Sequence, residues 1–116
     1  MFKQGDILLV PVPFTDLTSN KRRPVLVISN DDYNKQTQDI IVVAITSNIT
    51  SKGYTIFLSN ENLQEGTLKV NSCIRADKIY TLSQRIVIRK FGCVKDNVIN
   101  FVKEKIEGLL NNKVSQ

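Results

Sequence analysis

Asp39-Ile40-Ile41-Val42-Val43-Ala44-Ile45-Thr46 carries the most apolar run of the chain, closed by a hydroxyl residue. The run is too short to span a bilayer, and its branched side chains suit a central strand buried on both faces. Upstream, Ile7–Pro13 alternates Leu8, Val10, Val12 and Phe14 onto one face, as a strand does. Its two prolines predict an edge position or a bend, because proline donates nothing to a ladder. Val25–Ser29 reads as a second strand entered through Pro24, which holds Arg23 extended. The segments 15–21 and 30–38 are polar and loop-like. Downstream, Tyr54–Leu58, Leu68–Asp77 and Ile86–Phe91 predict three more strands, with the polar stretch Ser59–Gly66 after the first of them. From Asp96 the period changes: Val98, Ile99, Val102, Ile106, Leu109 and Leu110 recur at helical spacing. Asp96 suits the positive end of that helix, and Asn111-Asn112 suits its stop. Many short strands followed by one amphipathic helix predict a twisted antiparallel sheet curled into a small barrel and closed by the helix. Residues 1–116 read as a single domain, with 111–116 a polar tail and no internal repeat or linker.

The 116 residues suffice for one core and are too few for two. Hydrophobic residues at 41% and charged residues at 23% make disorder an unsuitable reading. The formal charge of +5 and the sequence pI near 9.4 suit a polyanionic partner such as RNA, DNA, an anionic membrane or an acidic protein. Solubility alone accounts for a charge of this size equally well. Cys73 and Cys93 lie far apart, and the chain has no histidine. A structural zinc site and a histidine-activated thiol nucleophile are thereby disfavoured, leaving buried free thiols in a reducing cytosol. The N-terminal stretch has no apolar h-region, so the expected location is cytoplasmic, with no membrane partner.

Four segments in order resemble the MazF/PemK-like family of type II toxin–antitoxin ribonucleases. They are Gly5-Asp6-Ile7-Leu8-Leu9-Val10-Pro11-Val12-Pro13-Phe14-Thr15-Asp16, Lys21-Arg22-Arg23-Pro24-Val25-Leu26-Val27-Ile28-Ser29, Ala44-Ile45-Thr46-Ser47 and Ser72-Cys73-Ile74-Arg75-Ala76-Asp77-Lys78-Ile79. Singly these are unspecific; their joint order, spacing and length are not. The resemblance implies an SH3-like β-barrel with a C-terminal α-helix, usually a homodimer. It implies an endoribonuclease of the mRNA interferase type that cuts single-stranded RNA at short sequences without metal or cofactor. It also implies a cognate antitoxin with an acidic, partly disordered segment. Two other readings stand beside it: a gyrase poison of the same fold, and a non-catalytic barrel that binds RNA or protein. Gyrase poisons of this kind use a tryptophan-containing C-terminus, and this chain has no Trp.

RNA carries its own nucleophile, the 2′-hydroxyl, so the protein needs only to orient it, move protons and offset phosphate charge. By resemblance, Arg23, Thr46, Arg75 and Asp77 are the catalytic candidates. Arg23 matches the arginine of the family's R-P pair, and a guanidinium clamps two phosphate oxygens at once. Its alternative is a solvated basic loop, Lys21-Arg22-Arg23. Thr46 matches the threonine ending the buried strand, where a local backbone hydrogen bond is the alternative role. Arg75 and Asp77 match an R-x-D pair credited in one branch with acid and base. Period-two spacing puts both on one face of a strand. Asp77 serves as a base if its environment raises its pKa toward neutrality; otherwise the two form an ordinary ion pair. Thr15, Asp16, Lys21, Arg22, Ser47 and Asn48 are the substrate-binding candidates. The loop after the first strand is short and has no histidine where another branch places one, which leaves the third catalytic partner open. Aromatic platforms for bases are scarce.

Overall fold

Strand β1 (Asp6–Pro11) is buried over most of its length and β2 (Arg22–Val27) runs from an exposed start into the core; helix α1 (Asp31–Gln36) and β3 (Asp39–Thr46) follow. Then come β4 (Thr55–Leu58), β5 (Leu63–Gly66), β6 (Ser72–Ser83), β7 (Arg89–Val94) and the closing helix α2 (Asp96–Leu110). The computed structural model describes residues 1–11, 21–49 and 53–112. The seven strands form one sheet in the order β4-β6-β3-β2-β1-β7-β5, and every pairing is antiparallel. Leu58 of edge strand β4 and Leu63 of edge strand β5 share one core cluster with Ile7, Leu26, Ile45 and Ile74. Opposite ends of a sheet meet in one core only if the sheet curls, so the predicted barrel-like architecture with a C-terminal helix is the one observed.

Val98, Ile99 and Val102 of α2 enter the same cluster. Each such burial stabilises by up to about 1.5–3 kcal/mol, which outweighs the missing side-chain cap at Lys95. Leu8, Val10, Val25, Val27, Ile40 and Val42 form a second cluster, flanked by Phe2, Tyr80, Leu82 and Val87. The long apolar run is therefore an interior strand whose side chains divide between two cores. No helix among the described residues is long and apolar enough to cross a membrane.

Several elements depart from the sequence reading. β1 lies between β2 and β7 rather than at an edge; Pro11 is its last residue, so the missing N–H falls at the strand end, and residues 12 and 13 lie outside the described set. Residues 30–38 contain a helix because Asn30 caps it, its side chain accepting from the Tyr33 N–H at 2.8 Å. The one buried side chain of that helix is polar, so no apolar period marks it: the Asn34 amide donates to the carbonyls of Ser29 and Phe2 and accepts from the Ser29 hydroxyl. The Ser59–Gly66 stretch holds a 3-10 turn and β5, whose one buried residue is Leu63. β6 starts at Ser72 and runs to Ser83, past the charged residues that suggested its end. Val43 pairs with Ile79 while the next residue, Ala44, pairs with Arg75, so residues 76–78 bulge from the ladder. The last strand begins three residues late because residues 84–86 form a 3-10 turn. Cys73 is buried and in no disulfide, as expected, but Cys93, likewise in no disulfide, is only half-buried, with burial raising its pKa.

Candidate active site

Pro24 donates nothing to a ladder and keeps the residue before it extended; it sits inside β2, after Arg22 and Arg23, the exposed first two residues of that strand. Val10 pairs with Arg23, and Pro11 with Arg22. Both arginines open onto a cleft of about 500 Å³ at the strand ends. Its apolar lining is Leu9, Pro24, Ile45, Leu68, Val70 and Phe91, and its cations are Arg22, Arg23, Lys69 and Arg89. Ser47, Thr67 and Ser72 add hydroxyls, and no carboxylate is among the described lining residues. The Arg89 guanidinium stands 5.7 Å above the centroid of the Phe91 ring. Four like charges around an apolar floor make a strongly anion-attracting concavity.

Of the sequence-predicted residues, Arg22, Arg23 and Ser47 line this cleft; Lys21 and Asn48 are exposed on adjoining segments, and neither belongs to its lining. Thr15 and Asp16 lie outside the described residues. Thr46 is half-buried at the end of β3, its hydroxyl oxygen accepting from the Asn48 N–H at 3.1 Å. It too is outside the cleft lining, as are Arg75 and Asp77. The register nonetheless relates them to Arg23. Val25, Ala44 and Arg75 form one row across β2, β3 and β6, and alternation puts Arg23 and Thr46 on that same face, two residues toward the strand ends. Strand spacing and rise separate the Arg23 and Arg75 Cα atoms by roughly 12 Å, with Thr46 in the strand between. Two arginine side chains can reach across that gap to one phosphate.

Arg75 is already engaged. Its Nε donates to Asp77 Oδ1 at 3.0 Å and its Nη2 to Oδ2 at 2.9 Å, a two-pronged pair with side chains 32% and 30% exposed. The bulge at residues 76–78 lets two side chains of one strand meet in this way. The guanidinium bond holds the Asp77 carboxyl below the usual carboxylate range and raises Arg75 further. The condition for Asp77 as a resting base poised near neutrality is thus unmet; in this state it is an ionised partner for Arg75.

Sequence reading missed Thr67, Lys69, Ser72, Arg89 and Phe91. Lys69 was absorbed into a predicted strand, and the basic-aromatic run Arg89-Lys90-Phe91 was the one available signal. Lys90 turns away from this role: its ammonium bonds the buried Asp6 carboxylate at 3.2 Å, which raises its pKa.

A curled antiparallel sheet, closed by one helix and open at its strand ends to a cation-rimmed cleft, defines a class of small barrel domains. The chain belongs to the family of PemK-like, MazF-like toxins of type II toxin–antitoxin systems, whose model matches residues 3–110. Solved structures share its fold. An endoribonuclease in complex with its cognate antitoxin, from a Mycobacterial species, matches at TM-score 0.79 and 16% identity, over 99% of this chain and 100% of that one. The Mycobacterium tuberculosis toxin MazF-mt6 matches at TM-score 0.74 and 16% identity, over 94% and 99%. A MazE-MazF structure from Deinococcus radiodurans matches at TM-score 0.70 and 25% identity, over 94% and 95%.

Proposed function

We propose that this toxin is a sequence-selective, metal-independent endoribonuclease that cuts single-stranded mRNA to leave a 2′,3′-cyclic phosphate and a 5′-hydroxyl. The observation that carries the reading is the cleft with four cations and no described carboxylate, beside a face that holds Arg23, Thr46 and Arg75 in register. Structural relatives described as an endoribonuclease, and as complexes with an antitoxin, agree with it. In this reading the 2′-oxygen attacks phosphorus as the bond to the 5′-oxygen breaks. Arg23 and Arg75 offset the charge on the non-bridging oxygens, and the Thr46 hydroxyl donates to one of them. When Arg75 turns to the phosphate it releases Asp77, whose carboxylate then takes the 2′-hydroxyl proton. Water protonates the leaving 5′-oxygen, and Asp77 returns its proton to solvent. Arg22, Lys21, Ser47 and Asn48 bind the flanking chain, together with Thr15 and Asp16 from the preceding loop.

The same basic cleft is where a cognate antitoxin, through an acidic disordered segment, blocks RNA. The toxin works as a homodimer in this reading. The buried β3 run is consumed by the chain's own cores, so the exposed aliphatics Ile79, Ile86 and Ile88 are the better material for self-association. The test is to incubate the purified protein with a defined RNA pool in EDTA and sequence the new ends. The reading expects cleavage at a short motif with cyclic-phosphate ends, reduced about 100-fold or more in Arg23→Ala. Full activity of that variant removes Arg23 from the site; no cleavage under any condition removes the ribonuclease.

A further inference from the structure

We propose that Arg89, whose guanidinium lies over the Phe91 ring, seats one nucleobase of the RNA next to a backbone phosphate held by Arg22, and so sets the base preference at one position of the cleavage motif. The inference rests on the ribonuclease reading and adds a specificity residue to it. Leu9 pairs with Arg89 on one side and with Pro24 on the other. These three side chains therefore form one row across β7, β1 and β2, on the face that lines the cleft. Arg22 stands two residues nearer the mouth on β2, within reach of a phosphate attached to whatever occupies the row. Phe91 stands two residues further inward on β7 and packs against the main core.

Each feature of this arrangement fits a base and its sugar-phosphate rather than a bare anion. Phe91 is fixed from below by the core, and its ring carries the Arg89 guanidinium 5.7 Å above its centroid. A guanidinium held over a ring is a plane with a second face, and a base stacks on that face as it does on an aromatic residue. The floor beside the guanidinium is apolar, through Leu9, Pro24 and Leu68, while Thr67 brings a hydroxyl that donates to or accepts from a base edge and Ser72, whose hydroxyl donates to the Val70 carbonyl at 3.1 Å, brings an acceptor. The cleft volume of about 500 Å³ lies within the range of pockets that bury small organic groups. A lysine at position 89 would match the charge without offering the plane. Arg89 thus supplies the stacking surface that a chain without tryptophan otherwise offers sparingly.

The test uses short single-stranded RNAs that carry the mapped cleavage motif, a 2′-deoxy nucleotide at the scissile position, and one abasic nucleotide moved along the motif. In the wild-type protein one abasic position, adjacent to the scissile phosphate, weakens binding about tenfold or more. Arg89→Lys weakens binding of the intact oligonucleotide by a similar factor, and the same abasic position then costs nothing further, because both changes remove one interaction. Sequenced ends from cleavable RNA broaden at that position in Arg89→Lys and in Phe91→Leu. Arg89→Lys keeps the test valid where Phe91→Leu fails to fold. An abasic penalty that persists undiminished in Arg89→Lys, or a flat abasic series in a wild-type protein that cuts RNA, overturns the inference and leaves the ribonuclease reading intact. Unchanged RNA binding by Arg89→Lys, combined with a tenfold loss for a poly-glutamate peptide, overturns it in favour of a protein occupant. A wild-type protein that neither binds nor cuts RNA removes both.

Discussion

Asp77 illustrates how one contact fixes both stability and chemistry. Its carboxyl bonds Arg75 through both oxygens and titrates below its ordinary value. A depressed folded-state pKa means the pair stabilises the fold above the unfolded carboxylate value of about 3.9, and that this contribution is lost as pH falls through the folded value. With both side chains about one third exposed, the contribution is about 1 kcal/mol or less. Asp77→Asn should therefore lower stability in urea slightly at pH 7, with the difference from the wild type shrinking as pH falls below the ordinary carboxylate range. A difference that instead grew in acid would contradict the pairing. The residue scale is also where sequence reading reached its limit. Arg23 and Thr46 became candidates through the resemblance, by the R-P pair and by the hydroxyl that closes the apolar run; of the two, only Arg23 is among the described residues that line the cleft. Lys69, Arg89 and Phe91 reach the cleft through pairings between strands far apart in the chain, and no local pattern states that register.

Edge strand β5 and its neighbour β7 are held together by glycine. A Cβ on Gly66 would stand 2.3 Å from the Phe91 carbonyl oxygen, and Gly66 has φ +89°. A Cβ on Gly92 would stand 2.6 Å from the Glu65 carbonyl oxygen. Backbones this close leave no room for a side chain, and the positive φ adds its own penalty at Gly66. Gly66→Ala should cost about 2 kcal/mol or more, read as a lower midpoint in thermal unfolding followed by circular dichroism. Gly53→Ala is the control, since it too has positive φ but, among the described residues beyond its chain neighbours, no atom within 4 Å of the added methyl, and so reports chiefly the backbone penalty. At this scale the sequence was informative wherever an apolar period existed. β3 and α2 begin where their patterns begin, at Asp39 and Asp96. It was silent where polar groups do the packing: α1 buries an asparagine, β5 buries a single leucine, and β6 passes through Asp77 and Lys78 because a bulge absorbs them.

At the scale of the whole molecule, two of its depressions carry opposite charge. Four cations line the cleft at one set of strand ends. Asp31, Asp32 and Asp96 gather with Gln4 and Asn30 in a separate depression at the starts of the two helices, sharing no residue with the cleft. Carboxylates near helix N-termini are favoured locally by the positive end of the dipole. Their placement keeps these three carboxylates out of the cleft, so a net charge of only +5 acts on a polyanion there as a larger local one. Binding of single-stranded RNA should then weaken steeply with salt, by about 0.7 in log affinity per log unit of salt for each phosphate neutralised. If all four cleft cations engage, their share of the slope is about −2.8. Lys69→Gln, whose side chain contacts the cleft without belonging to the proposed catalytic set, should make the slope shallower by about 0.7, read from fluorescence anisotropy across a salt series. Asp32→Asn, on the acidic side, should leave the slope where it was. Equal changes from both substitutions would show that net charge, not its placement at the strand ends, governs the encounter with RNA.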